Sequence, residues 1–463
     1  MPMMPEIIQK YCDRYAVGPM WRVNAGDRDS INTVIVIPAL AESERLFRTL
    51  GSISRNPEPE RLHTMALCVV NNRHPAHAGL SDCEDNQKTL RILDRLIHGV
   101  MPQEGEREPD LFHDLETILE NDLRLACVDA SSPGREMPDK VGGVGLARKI
   151  GFDLALPLFD YENERLRLLL SLDADTLVER NYVSAVRRHF KTENVPAAVV
   201  SFAHSEASNR EEQAAILCYE IFLHYYVLGL LFARSPYAYH SIGSTMACTA
   251  EAYAAVRGMN KRKAGEDFYF LNKLAKLGPI GTVTTTTVHP APRRSDRVPF
   301  GTGRRISRFV SGGSREYMVY DPAIFRIVKD WLTVLDSWDG ENERTLSSAA
   351  AAIHPSLESF LQELHFDDIV LRLKANSGSA ATFRKHLSCW FDGFRTLRLI
   401  NYLSRNVMPP MDMFSAVERM VSFMGGTLPV RIKPGNVPLL DEQQAILDCL
   451  RAIEYECGGT CTL

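Results

Sequence analysis

Two aspartates one residue apart, Asp173 and Asp175, close an apolar run, Leu168-Leu169-Leu170-Ser171-Leu172. The run has the length and composition of a buried strand, and its end is where a sheet meets water. On an extended segment the side chains at i and i+2 share a face, so both carboxylates can act on one ligand. Holding them together requires a cation or hydrogen bonds to offset their repulsion. Oxygen donors of this kind suit Mg2+ or Mn2+ carrying a diphosphate. The simpler reading makes the pair part of a solvated turn, with Asp175 capping a following helix. A second acidic pair, Glu266-Asp267, opens an amphipathic stretch in which Phe270, Leu271, Leu274 and Leu277 recur on one side. Read simply, these are favourable charges in the first turn of a helix. His289 comes after a Thr/Val-rich run, and a lone histidine there is by default structural or solvated. Arg293, Arg294, Arg297, Arg304, Arg305 and Arg308 form a basic stretch interleaved with Gly301 and Gly303. It reads as a solvated face or as a flap that closes on phosphates.

These residues need a frame to hold them. Thr33 to Leu40 is a buried strand, and Leu46, Leu50 and Ile53 after it keep a helical period. Met65 to Val70 is a second buried strand, closed by Asn71-Asn72-Arg73. Strand, helix, strand at this spacing predicts a parallel sheet with ligands at the carboxyl ends of its strands. From Asp82 to Glu120 eleven acidic residues face four basic ones. This predicts a solvated insertion over about 75–120 with one or two helices, for example Thr89 to Ile97. Leu123 to Val128 resumes the strands, and Gly145 to Leu156 reads as a helix with Leu146, Ile150 and Leu154 on one face. Ala197 to Phe202 and Gly281 to Val288 are further strands, and Glu211 to Ala233 a long apolar helix. After about residue 320 only helical periods remain, as at Ile324, Val328, Trp331 and Leu335, or Met413, Val417, Met420 and Val421. The expected organisation is an N-terminal arm over 1–30, an α/β domain over 31–319 and an α-helical C-terminal domain over 320–463.

With 463 residues, 45% hydrophobic and 24% charged, the chain has the balance of an ordinary soluble protein. A formal net charge of −5 argues against nucleic acid as a general partner. The ten cysteines lack the spacing of a metal finger, which predicts reduced thiols in the cytoplasm. Residues 1–22 lack a basic stretch followed by an apolar core, so no signal peptide is expected. Ala214 to Ala233 is nearly long enough to cross a bilayer but carries Glu220 and His224 mid-span, which are expensive in lipid. A buried helix or an acceptor-facing wall is the expectation, with peripheral contact at the inner face of the membrane left open.

The order of these motifs resembles the family-2 glycosyltransferases of the GT-A fold, over roughly residues 31–300. Ile37-Pro38-Ala39-Leu40-Ala41-Glu42 is similar to the family's first strand end, with Ala41 where Asn is usual. Asn71-Asn72 stands where an acidic pair commonly meets the nucleotide base, so the resemblance implies reading of a base edge by an amide. Gly142-Gly143-Val144-Gly145-Leu146-Ala147-Arg148 is similar to the segment beside the donor diphosphate. Asp173-Ala174-Asp175 resembles the metal motif, and Gly265-Glu266-Asp267 the Glu-Asp motif near the acceptor.

The resemblance implies a GT-A nucleotide-diphospho-sugar transferase fold, a mostly parallel sheet flanked by helices, followed by the helical domain. It further implies a metal-dependent, inverting glycosyltransferase of hexosyltransferase type. A UDP- or GDP-linked sugar would be the donor, Mn2+ or Mg2+ the cofactor, and a sugar, lipid-linked or small-molecule hydroxyl the acceptor. Pro38, Glu42, Asn71, Gly142, Arg148, Asp173 and Ser244 would line the donor site, Ser244 through the tight Gly243-Ser244-Thr245 segment. Asp173, Asp175 and His289 would hold the metal, and the metal would neutralise the departing phosphates. Asp267 would take the acceptor proton, with Glu266 orienting it or holding the acceptor. Two other readings stay open. A sugar-nucleotide synthesising nucleotidyltransferase shares the α/β core, although Pro38 to Glu44 lacks the Gly-rich basic loop such enzymes carry. A non-catalytic nucleotide-sugar-binding scaffold is the other.

Overall fold

The computed structural model describes residues 4–72, 78–162, 165–293, 302–311, 316–338, 345–433 and 435–458. By its internal contacts the chain divides into an α/β unit and a helical unit. The α/β unit holds Met1–Glu206 and Ser241–Pro292; the helical unit holds Ala207–His240 and Gly301–Leu463. The long apolar helix therefore belongs with the helical unit, although its place in the sequence suggested the α/β domain.

The α/β unit runs α1 (Glu6–Tyr15), β1 (Val23–Ala25), β2 (Thr33–Ala39), α2 (Leu46–Ser54), α3 (Glu58–Arg61), β3 (Thr64–Asn71) and α4 (Leu80–Ile97). It continues with α5 (Phe112–Glu120), β4 (Arg124–Ala130), α6 (Val144–Ala155), β5 (Leu168–Ser171), β6 (Thr176–Val178), α7 (Tyr182–Glu193) and β7 (Ala197–Phe202). Helix α8 (Arg210–Phe232) then intervenes, and β8 (Met246–Thr249), α9 (Ala250–Ala255), α10 (Glu266–Leu274) and β9 (Ile280–Pro290) complete the unit.

Nine strands make one sheet in the order β1-β4-β3-β2-β5-β8-β7-β9-β6. The central β4, β3, β2 and β5 are mutually parallel, and β7 and β9 run in the same direction beyond the antiparallel β8. The expectation of a mostly parallel sheet flanked by helices is met. Continuous apolar sequence explains it: every residue of β3 and β5 is buried, as a parallel strand covered on both faces requires. After β2 the chain winds outward through β3 and β4, then returns to place β5 on the other side of β2. The carboxyl ends of β2 and β5 thus flank the point where winding reverses, which is where open α/β sheets leave a crevice.

Two expectations change. The N-terminal segment is no loose arm, because β1 pairs antiparallel with β4 and α1 docks through Tyr11. The Tyr11 hydroxyl, only 1% exposed, donates to Asp153 Oδ1 at 2.6 Å and accepts from Lys149 Nζ at 2.7 Å. The acidic segment does contain the expected helices, as α4 and α5, but they are not wholly solvated. Ile92, Leu93 and Leu96 of α4 and Leu115 and Ile118 of α5 are buried, α4 against β4 and α5 against α2. Its charges lie on the outer faces of helices whose inner faces complete the core.

The helical unit comprises α8, α11 (Thr302–Val310), α12 (Pro322–Ser337), α13 (Leu346–Ile353), α14 (Pro355–Glu363), α15 (Phe366–Ala375), α16 (Ala380–Trp390), α17 (Gly393–Asn406), α18 (Met413–Phe423) and α19 (Leu440–Gly458). The expected helical texture holds, apart from a short ribbon of β10 (Met318–Val319) and β11 (Met411–Asp412). Helix starts obey local chemistry: Asp321, Thr345, Ser379, Asp392 and Asp412 each accept a backbone N–H of the ensuing first turn. Ile324, Val328, Trp331 and Leu335 of α12 and Met413, Val417, Met420 and Val421 of α18 are all buried in one core with α8. Helix α8 is long and apolar enough to cross a membrane by length and composition, yet 67% of its most apolar window is buried within the protein. Its polar residues meet partners on α19: Glu220 pairs with Arg451 at 2.5 Å and His224 with Glu454 at 2.8 Å.

Candidate active site

Arg148 organises the carboxyl edge of the sheet. It sits in the second turn of α6 and is 2% exposed, so all its donors must find partners inside the protein. Nε donates to Ser171 Oγ, at the last residue of β5, at 2.9 Å. Nη2 pairs with Asp173 Oδ1 and Nη1 with Glu266 Oε1. One planar fork thereby fixes the strand end, the aspartate motif and the start of α10. The approach depends on two glycines. A Cβ on Gly243 would collide with the Arg148 guanidinium, and one on Gly145 would strike the Arg262 carbonyl and lie 2.9 Å from Glu266 Cβ. The first leaves room for the arginine; the second lets α6 start directly against the segment that delivers Glu266.

Asp173 and Asp175 are not on extended backbone. β5 stops at Ser171, and Asp173 to Thr176 form a turn closed by Thr176 N–H donating to the Asp173 carbonyl at 3.1 Å. The argument that i and i+2 share a face therefore fails. Beyond the turn the chain enters the antiparallel strand β6, so the helix-capping alternative for Asp175 fails too. The turn nonetheless holds a carboxylate in place: Asp173 is 38% exposed, with Oδ1 on Arg148 and no hydrogen-bond partner on Oδ2 among the described residues.

Glu266 is 3% exposed on Arg148. Asp267 accepts Phe268 N–H at 2.7 Å, and burial, then the charge of Glu266, pushes its carboxyl up to about 7, against the opposing pull of Arg148. Asp173, Glu266 and Asp267 share a single buried arginine, so the cluster carries surplus negative charge when all are ionised. An all-oxygen donor set with that surplus suits a hard divalent cation.

His289 has different surroundings. On β9 it pairs with Leu177 of β6, donates from Nδ1 to the Ala203 carbonyl at 3.0 Å and places Nε2 3.8 Å from Glu179 Oε1. It lines a cavity with Arg48, Arg55 and Arg180. Asp173, Asp175 and His289 do not bring ligand atoms within 4.8 Å of one another. The expected three-residue metal shell is thus not assembled.

Among the expected donor-site residues, Pro38 is the penultimate residue of β2. Glu42 is 5% exposed, and its carbonyl accepts the Arg45 and Leu46 N–H groups that start α2. Asn71 is occupied by the sheet: Nδ2 donates to the Ala39 and Val69 carbonyls, both at 3.1 Å, which argues for a structural role rather than base reading. Gly142 N–H donates to the Pro138 carbonyl at 2.6 Å in the loop before α6. Ser244 is 1% exposed, and its Oγ has no hydrogen-bond partner among the described residues. Of the basic run, Arg294 and Arg297 lie outside the described residues, while Arg305 and Arg308 pair with Glu316 at 2.9 and 3.1 Å.

Sequence reasoning missed the acidic segment's contribution to this edge. Asn86, fully buried on α4, accepts Ala41 N–H at 2.9 Å and donates to the Asn71 carbonyl at 3.0 Å. Asp85 accepts Ser43 N–H at 3.1 Å, and Asn72 Nδ2 donates to the Ser131 carbonyl at 3.0 Å. These bonds join the loops after β2, β3 and β4. Nothing in the charged sequence around Asn86 marks it as buried; only Thr89 and Leu93, one and two turns on along the same face, hint at an inner side.

No protein-family model matches the chain, and no curated protein sequence does. Among solved structures, the S. aureus TarS fragment 1–349 in complex with UDP-GlcNAc is similar at 10% identity and a TM-score of 0.38, covering 76% of this chain and 90% of that one. The mannosyltransferase PcManGT from Pyrobaculum calidifontis, in complex with GDP-Man and Mn2+, is similar at 13% identity and a TM-score of 0.35, covering 97% and 88%.

Proposed function

We propose that the chain is a metal-dependent glycosyltransferase that moves a sugar from a nucleoside-diphosphate donor to a hydroxyl acceptor by a single inverting displacement. The observation that carries the reading is the Arg148 fork, which joins Asp173 of the turn after β5 to Glu266 beside Asp267, at the winding-reversal point of the sheet. A divalent ion on Asp173 and Asp175 would supply Lewis acidity toward the departing diphosphate. Arg148 holds Asp173 in one orientation and neutralises part of the carboxylate cluster. Glu266, locked on the same guanidinium, sets the start of α10 and with it the position of Asp267. Asp267 takes the acceptor proton at its carboxylate, and a value of about 7 suits a base working near neutrality. Ser244 offers a buried hydroxyl to the donor.

The test is release of UDP or GDP from a panel of UDP- and GDP-sugars, with Mn2+ or Mg2+ and with EDTA. Metal-dependent release that Asp175→Ala abolishes supports the reading. Absence of metal-dependent binding and release with every donor overturns it and favours a scaffold. Consumption of a sugar 1-phosphate with a nucleoside triphosphate would instead identify a nucleotidyltransferase.

A further inference from the structure

A second cluster of ligand-type side chains lies wholly within the helical unit. His224 of α8, His240 of the loop after it and Glu454 of α19 place one ligand atom each within 4.8 Å of one another. His224 Nδ1 lies 2.8 Å from Glu454 Oε1, and His240 Nε2 lies 2.9 Å from Glu454 Oε2. The imidazole centroids are 4.6 Å apart with their planes at 66°, so the rings converge on the carboxylate without stacking. His224 is 4% and His240 9% exposed, and the Glu454 side chain 15%. Three polar groups have been taken out of water, and a buried carboxylate of this kind is held only with compensating positive charge. The facing imidazoles supply it when protonated, and a bound cation would supply it in place of those protons; the nearby Arg451 is engaged by Glu220 at 2.5 Å and by Asp448 at 3.2 Å.

The geometry points to a divalent transition-metal site of the zinc type, held by His224, His240 and Glu454, that fastens α19 to α8. Two imidazoles and one carboxylate are a borderline donor set, suited to Zn2+ and unlike the all-oxygen set at Asp173 and Asp175. Ligand atoms on a tetrahedral ion, with bonds of about 2.0–2.1 Å, stand roughly 3.3 Å apart, and one ligand atom from each of the three residues already lies within 4.8 Å of the other two. Three protein ligands leave a fourth position for water. The ligands come from positions 16 and 214 residues apart in the chain, so no local spacing announces the site.

The test uses the full-length chain, stripped with EDTA, desalted and titrated with ZnCl2 alone and with CoCl2 alone. Parallel titrations in an Asp175→Ala background remove the other carboxylate site. Metal per chain is measured by elemental analysis, thermal midpoint by calorimetry, and Co2+ coordination by its visible bands. One equivalent retained in the Asp175→Ala background, with a higher thermal midpoint and no thiolate-to-cobalt band, is expected. Glu454→Gln, which keeps the size and one acceptor, should weaken binding by roughly 100-fold or more, and so should His240→Gln, each with unchanged helix content. If Glu454→Gln does not fold, His240→Gln decides alone. Loss of all binding in Asp175→Ala, or zinc binding by the folded variants as tight as by the parent, overturns the proposal.

Discussion

Asp267 carries the sharpest residue-scale consequence. Its native carboxyl sits at about 7 against 3.8 for an ordinary aspartate, so the folded chain keeps a proton that the unfolded chain has released. Stability from that proton is fully present below about pH 4 and is lost as pH rises through about 7. Asp267→Asn should therefore melt a few degrees above the parent at pH 8, with the gap closing toward pH 5. It should bind the donor normally and lose transfer by about 10²-fold or more. Parent transfer should climb as pH rises through about 7; a flat profile from pH 6 to 8, or full activity in Asp267→Asn, removes Asp267 as the base. Arg148→Lys tests the fork. A lysine retains the charge but cannot meet Ser171, Asp173 and Glu266 together. It should cost about 2–4 kcal/mol in denaturant unfolding and slow transfer about 10²-fold even where the fold survives.

At the scale of elements, the loop between β2 and α2 holds a residue in a strained backbone conformation. Ala41, standing where the resembling family has Asn, adopts φ +50°, a left-handed conformation that Asn tolerates better than Ala. Ala41→Asn should raise stability by up to about 1 kcal/mol, read as a higher melting temperature with donor hydrolysis unchanged. A drop in stability would mean that the new side chain displaces the Asn86 contact. The pairing of α8 with α19 makes the opposite kind of prediction. Arg451→Ala leaves Glu220, whose side chain is 3% exposed, without its cation, and should destabilise the chain by roughly 3 kcal/mol. A change under about 0.5 kcal/mol would show that water reaches Glu220.

At the scale of the whole molecule, the cores of the two units can be read through their thiols. Cys68, Cys127 and Cys248 in the α/β unit and Cys218 on α8 are buried, and burial pushes Cys127 and Cys218 up to about 12. In the native chain at pH 8 these four should resist a water-soluble disulfide reagent, while partly exposed Cys12, Cys83, Cys389, Cys449 and Cys457 are open to it. Mass mapping of labelled peptides checks this, and all four should react once the chain is unfolded. Early labelling of Cys218 would mean that α8 is not packed as described.

Much of this was legible in the chain. Continuous apolar runs fixed β2, β3 and β7, because a strand buried on both faces needs no partner-specific pattern. Helical periods at Ile324 to Leu335 and Met413 to Val421 located their buried faces for the same local reason. The chemistry-bearing pairs Asp173–Asp175 and Glu266–Asp267 were also visible, but the Arg148 fork that joins Asp173 to Glu266 was not. Tertiary structure alone decided the rest. The aspartates lie in a turn because β6 must reverse to pair with β9, and His289 faces Glu179 and Ala203 because its register is set by that pairing. Asn86 closes the loops at the sheet edge because α4 packs on β4. His224, His240 and Glu454 meet only when α19 lies on α8. Sequence records preferences that act over a few residues. Contacts between residues a hundred or more positions apart depend on which apolar faces find each other, and no local spacing encodes that choice.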